Sequence, residues 1–265
     1  MDFSKLVWKS FRKFLKDDLL TLSAALAFYT ILFIVPFFAL VLIFSSVFLD
    51  EMQVINSLLI VIKSFTGLQV SSILEAVLTN KILLGKSSSS IFNFVILLIG
   101  ATAFVGPLQK GVNNAFNSAR SSKKIILPSQ KLKALFTIFG GTILFLIFLA
   151  LSSTMNYFIR NFGDFLLPLN YLIWFLFLFT IFLFIFRYLP DKRKELKQTY
   201  PGALFTAVFF LLGQIFLNIY LAFSRVGSVF GTFSSIIIFI VWVYYSSAVF
   251  FLGAEFTYLR SRTIH

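Results

Sequence analysis

Residues 229–252 carry no formal charge, and this run decides what the chain can fold into. About 20 apolar residues at 1.5 Å each cross the ~30 Å hydrocarbon core of a bilayer. A helix that is apolar on every side needs an apolar surround along its whole length, so this run reads as a membrane span. It starts with small residues at every fourth position, Gly227, Gly231 and Ser235, a narrow stripe on which another helix can pack closely. Near its far end stands one carboxylate, Glu255. Tyr244, Ala248 and Glu255 are separated by close to whole numbers of turns, so they share a face that looks into the protein rather than at lipid.

Similar runs place further spans, and the expected set is 22–49, 91–109, 134–159, 166–189, 202–223 and 229–257. This is an all-α polytopic membrane protein with six transmembrane helices, forming one integral membrane domain over residues 1–265. A composition 59% apolar and 12% charged has too little polar surface to cover a soluble globule of this length. Pro36 and Pro107 fall inside spans, where a missing backbone donor predicts kinks. Residues 1–21 alternate Phe and Leu with Lys and Arg at helical spacing, an N-terminal interfacial helix that is expected to be retained rather than cleaved. Residues 50–90 are broken by charges and predict amphipathic extracytoplasmic helices between the first two spans.

The formal charge of +13 would suggest nucleic acid in a soluble protein. In a membrane protein the basic residues instead set orientation and meet anionic lipid headgroups at the cytoplasmic face, so no nucleic acid partner is expected. With the six spans above, 18 of the 23 Lys and Arg fall on one side and 5 on the other. The positive-inside rule then puts both termini in the cytoplasm. With no cysteine and a single His at position 265, thiolate sites and His-based chemistry are excluded, and no metal or cofactor is expected.

Several polar residues lie at or near membrane depth. Gln109, Asn113 and Asn117 recur every four residues, and either line a polar cavity or face cytoplasmic water. Gln214 and Asn218 are one turn apart on another helix; uncharged amides there either tie helices together or belong to a substrate path. Arg187 borders the bilayer and either snorkels to phosphate or pairs with a buried carboxylate such as Glu255.

The stretches SAALAFYTILFIVPFFAL (23–40), LQKGVNNAF (108–116), RYLP (187–190), PGALFTAVFF (201–210) and GSVFGTFSSIIIFIVWVYYSSAVFFLGAEF (227–256) resemble the YihY/BrkB family, in order and over nearly the whole chain. In that family the last helix commonly begins with a Tyr-Gly-Ser-like start, whereas Arg225 and Val226 precede Gly227 here. The resemblance implies a bacterial inner-membrane protein of six helices. Members have carried the labels ribonuclease BN and serum-resistance factor, and some relatives are connected with movement of lipid-like molecules. RNA hydrolysis would need clustered carboxylates for metal ions, or His, and this chain supplies neither pattern. The expected protein is not an enzyme. It is a transporter or flippase-like handler of a lipid or amphipathic anion, with Glu255, Arg187, Gln214, Asn218, Gln109, Asn113 and Tyr244 as the candidate path or gate. The alternative is a structural membrane protein that organises an envelope complex, as a homo-oligomer or with envelope-protein partners.

Overall fold

An apolar peptide segment in hydrocarbon must satisfy every backbone N–H and C=O internally, and the helix does this within one segment. The computed structural model describes residues 3–45, 55–56, 58–59, 103–117, 128–163, 167–191, 195–223 and 233–263. Among these, all regular structure is helical. In chain order the helices are α1 (Phe3–Lys16), α2 (Leu19–Ser45), α3 (103–115), α4 (Pro128–Phe162), α5 (Leu167–Tyr188), α6 (Leu196–Phe223) and α7 (Phe233–Thr263).

Among the described residues, three helices are long and apolar enough to cross a membrane: Pro168–Tyr188, Leu196–Leu217 and Ile237–Arg262. A fourth is reached if Phe3–Lys16 and Leu19–Ile34, which meet at a bend of 72°, count as one span. α4 carries a shorter apolar stretch, Phe136–Ser152. The described residues thus hold three or four of the six expected spans. The amphipathic helices expected in 50–90 lie outside them apart from 55, 56, 58 and 59, as does most of the expected span 91–109. Pro36 sits within helix α2 and Pro107 within α3. Between α1 and α2 the chain turns at Asp18, whose φ of 52° is left-handed, a conformation Asp tolerates better than most residues. Its Oδ1 accepts a hydrogen bond from Thr21 Oγ1 at 2.7 Å, which holds the start of α2.

α7 is the central element. It packs on α6, α2 and α1, while α5 bridges α6 and α4. The main core joins Leu26 and Phe33 of α2, Val112 of α3, Phe182 and Phe186 of α5, and Phe250 and Phe251 of α7. α3 reaches α7 because Gly111 leaves room for the Phe251 ring. A second cluster at the other end of α7 gathers Val41, Phe148, Trp174 and Ile238. Outward stripes such as Ile143, Ile147 and Leu151 on α4, and Leu212 and Phe216 on α6, stay exposed and apolar, as acyl chains require.

The approach of α6 to α7 is antiparallel and reciprocal. Gly202 of α6 lies against Thr257 of α7, and Gly253 of α7 lies against Thr206 of α6. Each Thr Oγ1 donates to the carbonyl of the Gly one turn earlier in its own helix, Thr206 to Gly202 and Thr257 to Gly253, both at 2.7 Å. The hydroxyls are therefore satisfied while the backbones close up, the packing that small residues allow in membranes. Gly227 and Gly231, the stripe expected at the start of this helix, lie outside the described residues, and Ser235 is described only as helical backbone.

A Cβ at position 202 would overlap Thr257 and come within 2.9 Å of the Gly253 carbonyl oxygen, whereas one at position 141 meets nothing within 4 Å. Gly202→Val is expected to lower stability in thermal unfolding in detergent by about 1–3 kcal/mol. Gly141→Ala should be neutral, or stabilising by up to about 1 kcal/mol, as helix propensity alone dictates. Equal behaviour of the two variants would show that α6 and α7 do not meet at this point.

Candidate functional site

Glu255 is fully buried, about two turns beyond the middle of α7, and it is held by a residue 242 positions away in sequence. The partner is Lys13 of α1, whose Nζ donates to Glu255 Oε1 at 3.0 Å. The same ammonium donates to Asp17 Oδ2 at 2.6 Å and to the Ala115 carbonyl oxygen at 3.1 Å. An ammonium has three N–H donors, so Lys13 is saturated by acceptors from α1, α3 and α7. Glu255 is less well served. Its Oε2 lies 2.8 Å from the same nitrogen, within ion-pair range, but makes no hydrogen bond.

Each element delivers its group for a local reason. Ala115 ends α3, where the last carbonyls lack intrahelical donors and the helix dipole is negative, a favourable place for a cation. Leu6, Ser10, Lys13 and Asp17 recur at intervals of four, three and four residues, so α1 turns one side toward α7. Ser10 is buried there because its hydroxyl donates to the Leu6 carbonyl at 2.9 Å. Leu6 packs with Phe205 and Phe256, whose rings stack at 4.5 Å between centroids. Tyr258, one turn beyond Glu255, lies under the Lys13 ammonium at 5.0 Å and under the Arg262 guanidinium at 4.9 Å, with its hydroxyl accepting from Asn117 Nδ2 at 2.8 Å.

A second polar cluster lies at the same end of the bundle. Asp191, just past α5, accepts from Gln109 Nε2 at 3.1 Å and Asn113 Nδ2 at 3.0 Å, while its own backbone N–H donates to Asn113 Oδ1 at 2.9 Å. The three amides of the α3 ladder therefore serve as anchors for the α5–α6 connection and for Tyr258. Arg187 is apart from Glu255: its guanidinium carbon lies 5.5 Å from the Tyr188 ring centre, and its Nε is buried without a hydrogen bond. Tyr244 and Gln214 are half-buried on α7 and α6, and Asn218 is described only as helical backbone. The structure thus joins Gln109 to Asn113 through Asp191, and does not bring either of them, or Arg187, to Glu255.

Sequence reasoning missed Lys13 and Asp17. In composition Lys13 is one of five basic residues in the N-terminal arm. The signal that singles it out is its register with Leu6 and Ser10 on the docked side rather than with Lys5, Lys9, Arg12 and Lys16, which are exposed.

A family model described as virulence factor BrkB matches residues 10–265, a range that includes both Lys13 and Glu255. Among similar proteins, the UPF0761 membrane protein of Haemophilus influenzae is 25% identical over 261 residues, covering 96% of this chain and 93% of the relative. The UPF0761 membrane protein of Aeromonas salmonicida is 26% identical over 278 residues, with 96% and 87% covered. That of Glaesserella parasuis is 34% identical over 77 residues, 29% of this chain and 27% of the relative. No solved structure matches the chain.

Removing one member of a buried ion pair strands the other charge, at a cost of about 3–5 kcal/mol, whereas replacing both can be near neutral. Lys13→Met is expected to destabilise by roughly that amount, and Lys13→Met/Glu255→Met to recover most of it. Additive losses in the double variant, read by thermal unfolding, would show that the two residues do not interact.

Proposed function

The chain belongs to the BrkB virulence-factor family, and from that premise we propose that it is a transporter or flippase-like protein of the bacterial inner membrane that handles a lipid or amphipathic anion. The observation that carries this reading is the Lys13–Glu255 pair. Ionisable groups at membrane depth are expensive, and where they occur they mark paths, gates or switches. This pair joins three separate helices through one ammonium, so moving any of the three must break a charged hydrogen bond. An anionic headgroup offers the ammonium the same oxygen ligands that Asp17 and Glu255 do. Headgroup entry can thus compensate the ammonium when α1 separates from α7, which leaves the stranded Glu255 carboxylate as the main cost of the movement. No catalytic reaction forms part of this reading.

The topology that accompanies it has six spans and both termini in the cytoplasm. It is supported by the excess of Lys and Arg on the faces that carry α1, the α3–α4 and α5–α6 connections, and the C-terminus. The Lys13 cluster and the Asp191 cluster then both lie at the cytoplasmic end. Gln214, Asn218 and Tyr244, placed nearer the middle of α6 and α7, are the residues of the reading that would line the path.

A second reading, a structural envelope protein that works as a homo-oligomer or with envelope partners, has its own support. Gln109 and Asn113 hold Asp191 with three hydrogen bonds, an arrangement suited to a static joint. The two readings part in reconstituted vesicles containing headgroup-labelled phosphatidylglycerol and a membrane-impermeant quencher of the label. A lipid handler should expose inner-leaflet label well beyond the protein-free rate. Glu255→Gln should cut that rate at least about tenfold, equivalent to 1.4 kcal/mol, while remaining folded. Wild-type vesicles that behave as protein-free ones would favour the structural reading.

A further inference from the structure

We infer that α1 is a membrane-surface latch whose basic side binds anionic phospholipid headgroups while its opposite edge is pinned to α7. The helix has three sides rather than two. Leu6, Ser10, Lys13 and Phe14 form the docked side, buried or half-buried against the bundle. Trp8, Phe11 and Leu15 form an apolar side that remains outside it, with Trp8 60% and Phe11 41% exposed and their rings stacked at 6.2 Å. Lys5, Lys9, Arg12 and Lys16, at intervals of four, three and four, form an exposed side of one sign.

Three sides of this kind match three surroundings met together at one place, the boundary of a bilayer beside a protein. Indole and phenyl rings favour the level between headgroups and acyl chains, and the stems of Lys and Arg reach from there to phosphate. The orientation follows from the bend. α1 departs from α2 by 72°, so if α2 crosses the membrane, α1 lies close to the membrane plane. The depth agrees as well, because Lys13 meets Glu255 only one to two turns before Arg260 and Arg262, about 7–10 Å along α7. Charge complementarity selects the occupant: four cations in a row on an aromatic-flanked helix suit an anionic leaflet rather than a zwitterionic one.

This assignment rests on the membrane reading of the chain but not on transport, and it is tested at equilibrium. Full-length protein is reconstituted in mixed phosphatidylcholine and phosphatidylglycerol, released gently, and the retained lipid counted by native mass spectrometry. Wild type should retain phosphatidylglycerol at least about fivefold over its share of the bilayer. Lys5→Gln/Lys9→Gln/Arg12→Gln/Lys16→Gln should lose most of that preference. A second readout is emission from Trp8 in a Trp174→Phe/Trp242→Phe background, expected to be quenched by phospholipid brominated in the acyl chain. Undiminished preference in the quadruple variant, or Trp8 emission indifferent to brominated lipid, would overturn the latch. Loss of the preference together with wild-type lipid movement no faster than the protein-free rate in the vesicle assay would uphold it and confine the failure to the transport reading.

Discussion

One ammonium group ties the described helices together at their polar end. Lys13 gives its three N–H donors to Asp17, to the last carbonyl of α3 and to Glu255. A cation taken out of water without such partners would cost several kcal/mol, so its position is tightly specified once α1 lies against α7. Apolar packing between these helices has no comparable directionality. Phe, Leu and Ile surfaces can slide past one another with little change in buried area, and lipid tails compete for the same contacts. The three hydrogen bonds select one register among those that packing alone would accept.

That register needs the α6–α7 approach beneath it. Glu255 is flanked on α7 by Gly253 and Thr257, the two residues that meet Thr206 and Gly202. Close contact of the two backbones on one side turns the carboxylate toward α1 and α3 on the other, since residues two apart in a helix point in widely different directions. The Asp191 clamp acts in the same region on the other side of α3, where Gln109 and Asn113 hold the chain that enters α6. α3 is thus fixed by its C-terminal carbonyl to α1 and by its amides to the α5–α6 connection, a short helix serving as a polar keystone.

The parts of this arrangement that depend on local composition were legible in the sequence. Long uncharged runs announce apolar helices because hydropathy is a property of a window, and α5, α6 and α7 fall where those runs are. The inward side of α7 was legible too, since a lone carboxylate in a lipid-facing position would be costly, and Glu255 is fully buried. Its partner was not legible. Lys13 and Glu255 are 242 residues apart, and nothing in either neighbourhood names the other. Arg187, which the sequence offers either as a snorkelling cation or as a partner for Glu255, lies beside Tyr188. The amide ladder was visible as a repeat, but its role depended on Asp191, which in sequence looks like one acid among Lys and Arg. The Gly253–Thr257 and Gly202–Thr206 pairs are weak patterns singly. Their meaning comes from being antiparallel and face to face.

The Lys13–Glu255 pair is unequal, and the inequality bears on how the end of α7 is held. Without Glu255, Lys13 keeps Asp17 and the Ala115 carbonyl, and at about one-sixth side-chain exposure it also keeps some water. Without Lys13, Glu255 has no other hydrogen-bond donor among the described residues and no exposed surface, and its Oε2 already lacks a hydrogen bond. The energetic dependence therefore runs mainly one way: the end of α7 relies on α1 more than α1 relies on α7. α1 is thereby placed in control of a buried charge on α7. Any force that lifts α1, whether from lipid composition or from a bound partner, is felt first at Glu255, because that is where the uncompensated charge would appear.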